Sequence, residues 1–164
     1  MGVVYSGDTA ITFDVSSLAA SSTFVAGRES TEINNTSNLY NDAMVFCDGI
    51  TAGASALTIG QMIRLYVWGS TVSLATTAID TLDGTDSAET LTHVAILNSL
   101  RLVDQAVATE TNANRVFYLQ PFSVAQFFGG VLPPFWGLYL AHNHAGALAA
   151  SQSGIWSYRG ITYS

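Results

Sequence analysis

The stretch Ile63-Arg64-Leu65-Tyr66-Val67-Trp68 alternates with a period of two. Successive side chains of a β-strand point to opposite faces, so Ile63, Leu65 and Val67 share one face and Arg64, Tyr66 and Trp68 the other. The second face is amphipathic rather than fully polar. The same period recurs outward in both directions. Towards the N-terminus, Ala10 to Val15 sets Ile11, Phe13 and Val15 against Thr12 and Asp14. Towards the C-terminus, Arg115 to Gln120 alternates less cleanly. Phe135 to Ala141 is nearly all apolar, as in a strand covered on both faces or lying under a partner. Ile155 to Tyr163 sets Ile155, Ser157, Arg159 and Ile161 against Trp156, Tyr158, Gly160 and Thr162, a last strand that would close a sheet.

Turn signals fall between these segments at short intervals: Ser6-Gly7-Asp8, Asn34-Asn35, Asp48-Gly49, Asp83-Gly84, Asn112-Ala113-Asn114, His144-Ala145-Gly146 and Ser153-Gly154. Short strands at this spacing predict an all-β, antiparallel sandwich or barrel. Val94 to Val107 reads two ways: Ile96, Leu97, Leu100 and Val103 fit a helical face, but a strand is favoured because Thr109 to Asn114 reads as a hairpin loop into a strand beginning at Arg115. One short helical turn is expected near residues 123–128. Ser123-Val124-Ala125-Gln126 is a capping box, Phe122 and Phe127 form a hydrophobic staple around it, and Gly129 with Pro133-Pro134 ends it.

The 164 residues suit a single domain spanning residues 1–164, with residues 1–8 as an extended N-terminal arm. Hydrophobic residues make up 49% and charged residues 10%, well below the usual charged share of about 25%. Polarity comes instead from 17 Ser, 17 Thr and 8 Asn. The net charge is -7, with five scattered Arg and no Lys. Nucleic acid and anionic membranes are recognised through clustered cations, so neither is an expected partner. Cys47 is the only cysteine, so stability must come from packing, and the run Met44-Val45-Phe46-Cys47 reads as core. The N-terminus lacks the charged start and apolar run of a signal peptide. Met1-Gly2 with Ser6 fits the short myristoylation pattern, which matches often by chance. The most apolar stretch, Phe127 to Ala141, is broken by Gly129-Gly130 and Pro133-Pro134 and is too short for a membrane helix.

Catalytic constellations are weak. His142 and His144 flank Asn143 and would share a strand face as two metal ligands, with a third needed from His93 or an Asp; a strand-end loop is the plainer reading. No Gly-x-Ser-x-Gly elbow accompanies the many Ser and Asp residues. Asp80-x-x-Asp83-x-x-Asp86 with Glu89 departs from the EF-hand spacing and reads as a solvated acidic loop, with a loop Ca²⁺ site as the alternative. The chain is therefore expected to be no enzyme and to carry no cofactor or metal. Arg28 and Glu29, an adjacent pair of opposite charge, suit a surface or an interface. Phe122, Phe127, Phe128, Phe135, Trp136 and Tyr139 concentrate aromatics in one crossing region. They would plug the end of a sandwich or pack against another subunit, where aromatics are enriched. These eight residues are the interface candidates.

Three groups of phrases carry a resemblance. They are Ala26-Gly27-Arg28-Glu29-Ser30 followed by Asn34-Asn35-Thr36 and Leu39-Tyr40; Asp83 to Thr90; and Asn114-Arg115 with Pro121 to Ala125, Phe128 to Pro133, Trp136 to Tyr139 and His142-Asn143. Together, from about Ala26 to Ile161, they resemble small virion proteins encoded among the structural genes of tailed bacteriophages. The resemblance implies a capsid decoration (cement) protein with a jelly-roll-like sandwich, made in the bacterial host cytoplasm and sited on the capsid exterior. Its implied partners are the major capsid protein and itself, as a homotrimer. No functional residue carries over, because the resemblance includes no defined binding motif. The alternatives are another virion part (tail, connector or head fibre) and a carbohydrate-binding jelly roll using exposed Trp and Tyr with Ca²⁺ at Asp80 to Asp86.

Overall fold

The computed structural model describes residues 2–164; Met1, the first residue of the myristoylation-like pattern, lies outside them. Two antiparallel sheets form a sandwich. The first runs β1 (Val3–Tyr5), β13 (Trp156–Tyr163), β5 (Asp42–Cys47), β11 (Phe122–Ser123), with β2 (Thr9–Ala10) also on β13. The second runs β8 (Ala88–Thr90), β3 (Ala26–Glu29), β12 (Phe135–His142), β7 (Met62–Ser70), β9 (Arg101–Val107), with β4 (Ile33–Asn34) also on β12. A small ribbon pairs β6 (Ile50–Thr51) with β10 (Val116–Phe117). The pairing is nested: the first strands meet β13, β3 meets β12, β5 meets β11, and β7 meets β9. Pairing outermost with outermost, as though a long hairpin were wrapped round a barrel, is the jelly-roll topology.

The alternation of β7 fixes the layering. Ile63, Leu65 and Val67 are fully buried in the core between the sheets, with Phe13, Val45, Leu138, Leu140 and Trp156. Tyr66 and Trp68, on the other face, belong to a second apolar cluster with Leu74, Leu82, Leu91, Leu97 and Leu100. Residues 71–100, between β7 and β9, therefore supply a covering layer over the outer face of the second sheet. This explains why β12 is nearly all apolar: it is buried from Trp136 to His142. The segment 10–15 buries Ile11, Phe13 and Val15 as its pattern requires, but only Thr9–Ala10 enters a ladder. The N-terminal arm is in part a strand, since Val3 to Tyr5 pair with Tyr163 to Ile161.

Two local expectations change. Val94 to Val107 is both things: a 3-10 turn over Val94–Asn98 that buries Leu97, then strand β9. The segment 109–114 is not a hairpin loop, because β9 lies in the second sheet and β10 pairs with β6. That pairing carries Phe117 and Leu119 into the central core, while Asp104 of β9 accepts the Gln120 amide at 3.1 Å. The helical turn near 123–128 forms as a 3-10 turn over Ala125–Phe128 and stops at Gly129, whose φ is 72°. Ser123 Oγ accepts the Gln126 amide at 3.3 Å, and the Phe122 and Phe127 rings meet edge-on at 6.1 Å. The Gln126 side chain is exposed, so only one half of the capping box acts.

Candidate interaction surfaces

The monomer's own core takes half of the eight interface candidates. Trp136 and Tyr139 are fully buried, and Phe122 nearly so. Tyr139 Oη donates to the Val25 carbonyl at 2.7 Å, and burial raises the phenol well above its ordinary pKa. These three cannot meet a second chain. The sequence signal was aromatic density, and density cannot tell the two faces of β12 from a free surface when both faces are covered. Phe127, Phe128 and Phe135 are half-buried and keep an outward edge.

Glu29 is also fully buried, and its role is internal. Its carboxylate accepts the amides of Asp83 (3.0 Å) and Gly84 (3.2 Å), which ties β3 to the covering layer. Burial pushes its pKa up to about 8 against those two amides, and the facing Asp83 and Glu89 carboxylates push the same way. Arg28 Nε binds Asp86 Oδ1 at 2.7 Å, Arg28 Nη2 reaches the Asp86 carbonyl at 2.9 Å, and Asp86 also accepts the Asp14 amide. Asp80 accepts both the amide and the hydroxyl of Thr92. The acidic stretch is thus a clasp within the fold rather than a freely solvated loop. Within it, carboxylate oxygens of Glu29, Asp83 and Glu89 lie within 4.8 Å of one another, close enough to share a cation. Hard oxygen ligands of this kind suit Ca²⁺.

The two histidines of β12 and its exit are buried side by side, with ring centroids 5.0 Å apart. His142 Nε2 bonds the Leu18 carbonyl at 2.9 Å, and the His144 amide donates to His142 Nδ1, which places the His142 proton on Nε2. Both ring nitrogens of His144 are buried without a partner among the described residues, against the Phe117 ring at 5.0 Å. Burial and the neighbouring His142 hold His144 down to about 4. Among the described residues the one group of three or more metal-ligand side chains is the carboxylate set above, so the pair lacks a third ligand. Cys47 packs against the core, and burial pushes its thiol up to about 11, where it is a poor nucleophile.

Several exposed apolar side chains that sequence reasoning missed lie on or beside strand edges. Val3, Val4, Tyr5 and Tyr163 are each more than half exposed on the β1–β13 ribbon. Gly2 and Ser164 exchange backbone hydrogen bonds, so by the antiparallel alternation Val3 and Tyr5 turn their N–H and C=O groups outward. On the second sheet, Val94 and Leu102 flank a trough of about 510 Å³ that runs beside edge strand β9. Val107, Val116 and Tyr118 surround another of about 340 Å³. Among the described residues no helix is long and apolar enough to cross a membrane. Comparisons with protein-family models, with curated proteins and with solved structures give no match to this chain.

Proposed function

We propose that this protein is a capsid decoration protein of the tailed-bacteriophage type. In this reading it binds the outer surface of a major capsid protein lattice as a homotrimer and stabilises the head. The observation that carries the reading is the β1 edge: a jelly roll closed round its own core leaves Val3, Val4 and Tyr5 uncovered on a strand whose outer backbone groups find no partner among the described residues. Natural sheets usually protect such an edge, and one left apolar is a template for another chain. A threefold ring needs a heterologous contact, β1 of one copy against a different patch on the next. The work required is differential binding: contact with assembled lattice rather than free subunits stabilises the shell by mass action, multiplied by many copies.

The test is to strip the protein from virions and follow the temperature at which heads rupture. Stripped heads should fail at a lower temperature and recover on re-addition, and gel densitometry should show hundreds of copies per particle. Heads equally stable without it would overturn the reading, and a few copies per particle would favour a tail, connector or head-fibre part. A second reading, a carbohydrate-binding jelly roll, is favoured by the Glu29, Asp83 and Glu89 oxygens gathered within 4.8 Å. A glycan array with and without chelator checks it.

A further inference from the structure

Three of the five arginines have carboxylate partners: Arg28 with Asp86, Arg115 with Glu110 and Arg159 with Asp8. Arg64 and Arg101 make no ion pair among the described residues, and both line the trough beside β9. That two uncompensated cations share one trough stands out in a chain of net charge -7. The other cavities differ. The trough by Tyr118 holds the satisfied Arg115–Glu110 pair, and that beside Gly27 contains Arg28, already bound to Asp86.

Arg64 is held in place. Its guanidinium lies over the Phe24 ring, 4.1 Å from the centroid, and its Nε is buried with no hydrogen-bond partner among the described residues. Stacking fixes the plane of the fork and so reduces the ordering cost of binding an anion. Arg101 stands exposed at the start of β9 opposite Val67, so its side chain leaves the strand from the face opposite to that of Arg64 and Arg101 borders the trough from the sheet edge. One residue beyond it, register slips between Leu65 and Tyr66, so that Val103 is the extra residue of a bulge. Bulges on edge strands re-aim side chains. Here Leu102 is left opposite Tyr66, exposed on the rim. Tyr66, Leu97 and Phe127 supply the remaining apolar wall, and Phe127 is the interface candidate from the sequence that keeps an outward edge here.

We infer that this trough binds an acidic side chain flanked by apolar residues on a partner protein. A guanidinium fork meets a carboxylate in a two-point, planar contact, which suits a single carboxylate better than a compact point charge. The apolar rim suits the neighbours of that carboxylate in an extended segment. A partner of this chemistry also complements the site's local charge against the acidic remainder of the surface. The site does not rest on the decoration reading, since any protein partner would serve.

The test is a titration of the full chain, followed by amide and Arg Nε–H chemical shifts, with a blocked Leu-Glu-Leu tripeptide. Blocked Leu-Gln-Leu, inorganic phosphate and butyrate are the comparison probes. The acidic peptide should give saturable shifts at Arg64, Tyr66 and Leu97 to Leu102, with a Kd on the order of 1 mM. The Gln peptide should bind about tenfold more weakly, and Arg101→Glu, which puts an anion at the border of the trough, should weaken binding of the acidic peptide about tenfold while leaving the rest of the spectrum unchanged. Arg64→Gln is the second loss variant; Arg101→Glu, at an exposed site, keeps the test decisive if Arg64→Gln fails to fold. No saturable shift, equal binding of the two peptides, or phosphate or butyrate matching Leu-Glu-Leu would overturn the inference.

Discussion

At the scale of single residues, the fold's main commitments are buried polar groups and the space left for rings. Glu29 shows the first. With its pKa raised to about 8 in the fold and near 4.5 in the unfolded chain, the native state holds a proton that the unfolded state gives up across that interval. The stabilisation is complete below about pH 4.5 and is lost as pH rises through 8. Denaturant melts at stepped pH should show stability falling over this window in the wild type, and Glu29→Gln should flatten the slope. Calcium should lessen the loss if the Glu29, Asp83 and Glu89 oxygens share the ion; an unchanged slope with calcium would exclude that cluster as a cation site. His144 acts the other way. Its pKa is lowered from 6.5 to about 4, so the unfolded chain takes the proton first and stability falls as pH drops from 6.5 towards 4. His144→Phe should weaken the acid limb, leaving the part due to His142, which burial also lowers, and an acid limb identical to the wild type would show that other groups set it. Gly137 shows the matter of space: the Trp68 ring lies over it from the paired strand, and a Cβ there would run into that ring. Gly137→Ala should cost about 1–3 kcal/mol by overpacking, read as a lower denaturation midpoint.

At the scale of elements, what the sequence could show was periodicity, and what it could not show was company. The strands at 63–68, 135–141 and 156–163 were legible because a two-residue period survives whatever packs on it, and so was the short turn after Ser123, because capping is local. The pairing of Val116–Phe117 was not legible. Its partner at Ile50–Thr51 is some sixty-five residues away in the chain, and nothing in the Thr109–Asn114 turn residues distinguishes a hairpin from a crossing between sheets. For the same reason Trp136 and Tyr139 read equally well as interface or as core. Trp136 is covered by the opposite sheet in the central core and Tyr139 by the layer of residues 71–100, and neither cover shows in the pattern of β12 itself. The trough beside β9 was invisible because Arg64 and Arg101, which both border it, are thirty-seven positions apart in the chain and leave their strands from opposite faces, Arg64 opposite Gln105 and Arg101 opposite Val67. The turn after Ser123 carries its own prediction. Asp42 is buried and accepts from Ser123 Oγ (2.6 Å), from the Ala125 amide (2.8 Å) and from the Ala43 amide (2.7 Å). Asp42→Ala strands three donors and should cost about 2–4 kcal/mol, whereas Ser123→Ala removes the cap bond to the Gln126 amide and the bond to Asp42 and should cost about 1–2 kcal/mol. Equal midpoints for the two variants in urea would show that Asp42 is not the hub of that corner.

At the scale of the whole molecule, stability and association are assigned to different parts of the chain. The core between the sheets and the cluster under the covering layer hold the jelly roll together without any contribution from Val3, Val4 or Tyr5, all exposed. Substituting such residues should move stability by no more than about 0.5 kcal/mol, which for a chain of this length is a shift of roughly 1–2 °C in Tm. If the β1 edge is where a second chain docks, charge placed there acts on assembly alone, because a lysine on an edge strand repels an incoming strand. The double variant Val4→Lys with Tyr5→Lys should therefore melt with the wild type while losing self-association in light scattering and attachment to stripped heads. A variant that lost Tm and association together would mean that the ribbon is part of the folded body, and one that still assembled would move the docking surface off β1 and onto the face that carries the arginine trough.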